Sequence, residues 1–140
     1  MYRVLMPVDA DEERALTQAK HVTTLPDAPN AVEVIIQFVF SGSGDDVPDE
    51  FRGQVTAERV QSVRRTKEYL DDADVNYTIV EGSGNTADDI IRQADEDDVD
   101  VIVLGGRKRS AAGKVLFGSV AQSVLLNTNR AVTVTGGSPE

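Results

Sequence analysis

The sequence has no cysteine, no tryptophan and one histidine, His21, among its 140 residues. Without cysteine there are no disulfides, no thiol redox chemistry and no thiolate-bound zinc. A single histidine excludes the histidine pairs used by many metal centres and nucleotidyl-transfer sites. His21 falls late in a helical stretch and reads as a surface or boundary residue. Neither a Walker loop nor a G-x-S-x-G elbow is present. No apolar run approaches the roughly 20 residues of a membrane-spanning helix. The opening MYRVLMPVD enters a strand-like pattern with no signal-peptide layout, so the expected location is cytoplasmic. Lysine is scarce, occurring only at Lys20, Lys67, Lys108 and Lys114.

Acid is plentiful. The 24 Asp and Glu against 14 Lys and Arg give a net charge of −10 and a pI near 4.5. That balance disfavours general binding to nucleic acid or to an anionic membrane. A strongly acidic, lysine-poor surface resembles cytoplasmic proteins of salt-loving microbes. The apolar content of 40% with 27% charged residues indicates one globular domain spanning residues 1–140. The charge is unevenly spread. Residues 1–100 hold 23 of the 24 acids, whereas residues 101–140 hold five bases and one acid, Glu140.

Strand and helix patterns alternate along the chain. Tyr2–Val8, Ala31–Phe40, Asn76–Val80, Val99–Leu104 and Arg130–Thr135 read as strands, rich in β-branched and aromatic residues. The unbroken Val101–Leu104 run predicts burial on both faces. Asp11–Thr24 reads as a helix with Ala15, Leu16, Ala19 and Val22 inward, closed by Pro26 and Pro29. A Gly/Ser/Asp loop over Ser41–Pro48 precedes a helix from about Asp49 to Asp72, with Phe51, Val55, Val60, Val63 and Leu70 on one stripe. Thr86–Asp89 has capping-box spacing at the head of a helix carrying Ile90, Ile91 and Ala94. Ser119–Asn127 forms the last helix, with Val120, Val124 and Leu125 inward, and Gly136–Glu140 is a tail. The order β-α-β-α-β-α-β-α-β implies an α/β fold, an open parallel sheet with helices on both faces, Rossmann-like in layout.

Ligands of such sheets sit beyond the carboxyl ends of the strands. This directs attention to Asp9, to Phe38–Ser41, to Gly82–Gly84 and above all to Gly105–Ser119, GGRKRSAAGKVLFGS. Gly105 and Gly106 permit a sharp departure from the strand. Gly118-Ser119 opens a helix whose free N–H groups suit a phosphate. Arg107, Lys108, Arg109 and Lys114 add positive charge with no acid nearby in sequence. The same glycines also suit a plain strand–turn–helix connection, and Asp9 a turn cap; spacing leaves both open. Gly82-Ser-Gly84-Asn-Thr-Ala87 matches a dinucleotide fingerprint but lacks an acid at the end of the next strand, so a glycine turn is the better assignment. Ser119 has no evident base and reads as a phosphate-binding hydroxyl, not a nucleophile.

The Gly105–Ser119 loop resembles the nucleotide loop of the universal stress protein family, Gly-x2-Gly-x9-Gly-Ser/Thr. Gly105 matches the first glycine and Gly118-Ser119 the closing pair, while Lys108 replaces the second glycine. The likeness extends to the Pro7-Val8-Asp9 end of the first strand, to Val99–Gly105 and to Ala131–Thr135. The resemblance implies a five-stranded sheet of order 3-2-1-4-5, a homodimer formed through Arg130–Thr135, and binding of ATP or AMP, with or without Mg2+. It places Pro7, Val8, Asp9, Phe38 and Leu104 around the base and ribose, and Gly105, Gly118, Ser119 and Val120 around ribose and phosphates. Lys108 cannot give a glycine's close backbone approach but can contribute side-chain charge. A nucleotide-free signalling or scaffolding dimer and a slow ATPase remain alternative expectations. The latter needs only positioned donors and a metal ion, and no residue pattern calls for it.

Overall fold

Five runs of β-branched and aliphatic residues pair into one all-parallel sheet in a computed structural model that describes residues 1–39, 60–81, 86–106 and 118–136. The strands are β1 (Tyr2–Val8), β2 (Val32–Phe38), β3 (Asn76–Glu81), β4 (Val101–Gly105) and β5 (Ala131–Thr135), in the order β3-β2-β1-β4-β5. The helices are α1 (Glu12–Thr23), α2 (Ala28–Ala31), α3 (Gln61–Asp72), α4 (Thr86–Glu96) and α5 (Ser119–Asn127). The expected Ser41–Pro48 loop, the Asp49 start of the third helix with Phe51 and Val55, the Gly82–Gly84 turn and the basic residues Arg107, Lys108, Arg109 and Lys114 lie outside the described residues.

Side chains of a strand alternate between faces, and the sheet thereby divides the core in two. Val4, Met6 and Val8 of β1 join Val34, Ile36 and Phe38 of β2 and Val101 and Val103 of β4 beneath α1 and α3. On the opposite face Leu5, Ile35, Val39, Ile102 and Leu104 pack with Ile90 and Ala94 of α4 and Ala121 and Val124 of α5. Burial on both faces explains why Val101–Leu104 has no polar position.

The helix ends are set by acids. Asp11 caps α1, its carboxylate accepting the Arg14 N–H at 3.0 Å. The chain leaves α3 and α4 through one device used twice. Asp74 (φ 59°) and Asp98 (φ 49°) take the left-handed conformation, and Val75 and Val99 then donate to the carbonyls of Leu70 and Ala94 at 3.0 and 3.1 Å. Both valines enter the core, completing the 6→1 bond and apolar contact of a Schellman turn. Arg130 anchors the start of β5 by donating to Asp95 (2.9 Å), Asp98 (3.0 Å) and the Val99 carbonyl (2.8 Å).

Four details depart from the pattern read along the chain. Val60, expected inside the third helix, is its extended N-cap (φ −78°, ψ 130°), and α3 begins at Gln61. Pro29 does not close α1, which ends at Thr23; it sits in the first turn of the short α2, where a missing N–H costs nothing. Leu16 is only half-buried while Gln18 is buried, a rotation of the α1 stripe whose cause lies in the sheet below. Leu125 is exposed, because the inward edge of α5 is carried by Ala121 and Val124.

Candidate functional site

The strand order reverses between β1 and β4, and there the two strands part. β1 pairs with β2 along its whole length, Tyr2↔Val32 to Val8↔Phe38, but with β4 only at Val4↔Val101 and Leu5↔Ile102. Pro7 falls within the parted section. A proline in a central strand lacks a ladder donor, and the β1–β4 pairing accordingly ends before it. The carbonyls left behind are satisfied by α1. The Gln18 amide, buried at 1% exposure, donates to the Pro7 carbonyl at 2.7 Å and to the Val103 carbonyl at 3.0 Å. One side chain therefore holds the crevice at a fixed width, and burying a glutamine is the consequence.

Asp9 stands at the mouth of this crevice. Its Oδ1 accepts the Asp11 N–H at 2.9 Å, and its Oδ2 pairs with Arg14 Nη1. Its carbonyl accepts the buried Ser62 hydroxyl of α3 at 2.5 Å. A carboxylate oxygen has room for more than one donor, so both keep accepting capacity. Arg14 reaches Asp9 by lying across Gly105. A methyl at Gly105 would fall within 2.7 Å of Arg14 Cδ and closer still to its Cγ. That is a reason for glycine at the end of β4 beyond any loop motif. Beyond it, the Gly106 N–H donates to the Thr135 carbonyl at 2.9 Å, closing β4 onto β5.

The remaining expected residues divide between the two faces. Leu104 lies in the apolar cluster under α4 and α5, against which Val120 packs. Gly118 (φ −72°, ψ 164°) is the N-cap of α5, and having no side chain it leaves the first N–H groups of that helix uncapped. Ser119 is exposed at the first helical position. Val8 and Phe38 are in register with each other but point into the cluster beneath α1 and α3. Val39, one residue on, belongs to the cluster that holds Leu104. Lys108 lies outside the described residues. The structure thus brings together Pro7, Asp9, Leu104 and Gly105 at the strand ends and sets Gly118–Val120 at the head of the helix that follows β4, while Phe38 faces away from Leu104.

Sequence reasoning missed two residues that hold these strand ends, Arg14 and Gln18. Arg14 was hidden among first-turn charges, and Gln18 carries no periodic signal. Val39 falls within the Phe38–Ser41 stretch singled out along the chain, one residue from the position the family likeness named for the base. Among the described residues no cluster of three or more His, Asp or Glu forms a metal site, and no helix is long and apolar enough to cross a membrane.

Comparison with known proteins gives a consistent picture. A family model described as the universal stress protein family matches residues 1–136. A universal stress protein of Methanocaldococcus jannaschii is 25% identical, the alignment covering 96% of this chain and 94% of the relative. The solved universal stress protein of Archaeoglobus fulgidus superposes with a TM-score of 0.72 at 27% identity, covering 96% of this chain and 98% of the other. A structure of the Archaeoglobus fulgidus universal stress protein in complex with dAMP superposes with a TM-score of 0.68 at 23% identity, with the same coverage.

Proposed function

The chain belongs to the universal stress protein family, and on that premise we propose that it binds an adenine nucleotide where β1 and β4 part, using occupancy of the site to regulate a stress response. The observation that carries this reading is the coincidence, at the reversal of strand order, of parted strand ends with a helix whose first N–H groups have no side-chain cap. The dAMP held by a protein of the same fold supports the ligand class.

In this reading the base lies over Pro7, between the β2 and β4 sides of the α4/α5 face. Val39, not Phe38, lines it opposite Leu104, because those two side chains share that face. Asp9, fixed by Arg14 and the Asp11 N–H, accepts from the ribose hydroxyls. Gly105, Gly118, Ser119 and Val120 border ribose and phosphate, where the α5 N–H groups and the Ser119 hydroxyl are the donors. Lys108 contributes charge to whichever phosphates extend past them. Mg2+ would enter only with a di- or triphosphate.

Calorimetric titration with AMP and ATP tests the proposal, paired with Gly118→Val. The backbone at Gly118 (φ −72°, ψ 164°) is open to any residue. A valine there obstructs the helix mouth while costing the helix only about 1 kcal/mol as a poorer cap. The expected result is measurable binding by the native chain and none by the variant, with the fold retained by circular dichroism. Undiminished affinity in the variant rejects the site. A native chain that binds neither nucleotide rejects the function and leaves a signalling or scaffolding protein.

A further inference from the structure

Gln37 is buried in the middle of the sheet with one end of its amide unused. Its Nε2 lies 3.4 Å from the Asp89 carbonyl in the first turn of α4, and its Oε1 has no hydrogen-bond partner, the one buried side-chain atom so placed among the described residues. Glutamine on a core face is itself unexpected, since the flanking inward positions of β2 on that face are Ile35 and Val39. Buried acceptors without donors are rare in folded proteins, and each asks for an explanation such as a missing water or ligand.

The position of Gln37 supplies one. It is in register with Pro7 on β1 and with Val80 on β3. Pro7 separates it from the parted section of β4, and Leu104 lies on the same sheet face beyond. Adjacent strands are about 4.8 Å apart, so Gln37 and Leu104 stand on either side of the Pro7 floor, with Val39 the next same-face residue toward the strand end. A planar base resting on Pro7 would present its edge to the β2 side.

We propose that Gln37 selects the base: its side-chain carbonyl accepts a hydrogen bond from the exocyclic amino group of adenine. This assignment rests on the nucleotide site proposed above and adds to it a specificity residue. The donor end of the amide is turned to Asp89, which fixes the acceptor end as the one left for the ligand. A base with hydrogen at that carbon would leave Oε1 buried and unmatched, which is how polar sites reject analogues.

The test compares AMP with purine riboside 5′-monophosphate, which has hydrogen in place of the amino group, against the native chain and Gln37→Leu. Thermal melts of both proteins run alongside, and Gln37→Met, which keeps the unbranched shape, serves as the second variant. The native chain is expected to prefer AMP by about tenfold, the scale of one hydrogen bond to an otherwise unmatched buried group. Both variants should lose that preference, with purine riboside monophosphate bound as before and the melting temperature equal or raised, since an unsatisfied buried acceptor has been removed. A preference that survives in both variants overturns the proposal and assigns the acceptor to a buried water. Equal weakening of both ligands with a lowered melting temperature also overturns it, leaving Gln37 a packing residue. If the native chain binds neither ligand, the nucleotide site itself has failed, and that outcome is separate from the other two.

Discussion

At the scale of single residues the crevice is held by a short chain of contacts: Gln18 across the parted carbonyls, Arg14 across Gly105, and Asp9 against Arg14. Each contact makes a different residue irreplaceable. In Gly105→Ala the new methyl collides with the middle of the Arg14 side chain, not with its mobile tip, so Arg14 must leave Asp9 or α1 must shift. A stability loss of about 1–3 kcal/mol is expected, as for overpacking in a close-packed region. Adding Arg14→Ala removes the obstacle, so the double variant should lose less than the sum of the two singles. Urea denaturation of the four proteins measures this, and strict additivity would show that the two residues do not meet. Little of this chain of contacts was legible beforehand. Gly105 and Asp9 stood out by type and position, but nothing in the sequence singled out Gln18. Its burial follows from carbonyls that exist only because Pro7 interrupts the ladder, which is a tertiary fact. The choice of Phe38 over Val39 is a matter of phase along β2: the end of a strand is visible in sequence, but which of two adjacent side chains faces α4 and α5 depends on how the sheet is covered.

Whole elements were far more legible, because the period of two in the strands and the apolar stripe of each helix are written locally. Strand order came from the family likeness, since alternation of strands and helices alone permits several parallel arrangements. The short α2 escaped notice, a four-residue element opened by a proline that elsewhere would signal a stop. The exits from α3 and α4 escaped for a related reason. The usual mark of such an exit is glycine, and this chain places Asp74 and Asp98 there. An L-residue in the left-handed region bears a steric cost of about 1–2 kcal/mol, offset in part by the greater unfolded-chain entropy of glycine. Asp74→Gly should therefore stabilise the protein by about 0.5 kcal/mol. Asp98→Gly should gain less, because Asp98 also accepts from Arg130 at 3.0 Å. Denaturant midpoints for the two variants check the ranking; a larger gain at Asp98 would mean that the Arg130 pair contributes nothing.

At the scale of the whole molecule the edges of the sheet matter most. β5 closes one side of it with the sequence Ala-Val-Thr-Val-Thr, free of charge and of proline, the two devices that ordinarily blunt an edge. Arg130, at its start, is engaged within its own chain by Asp95 and Asp98, so little charge opposes the approach of a second edge in a protein otherwise at −10. Exposed Leu125 and Leu126 at the end of α5 add apolar surface close in sequence. The homodimer that the family likeness implies would pair two β5 strands about a twofold axis, each presenting the same residues to the other. Charging Val132 or Val134 is a poor test, since both side chains pack against the cluster under α4 and α5. The backbone offers a cleaner one. Thr135 turns its carbonyl to β4, where it accepts from Gly106, so alternation turns the N–H groups of Val132 and Val134 outward. Val134→Pro removes one outward donor, spares the β4 ladder and retains an apolar side chain. A native dimer in sedimentation that becomes a folded monomer in this variant is the expected outcome, at a salt dependence far weaker than a charged interface would show. A dimer that persists through the substitution places the interface elsewhere on the molecule.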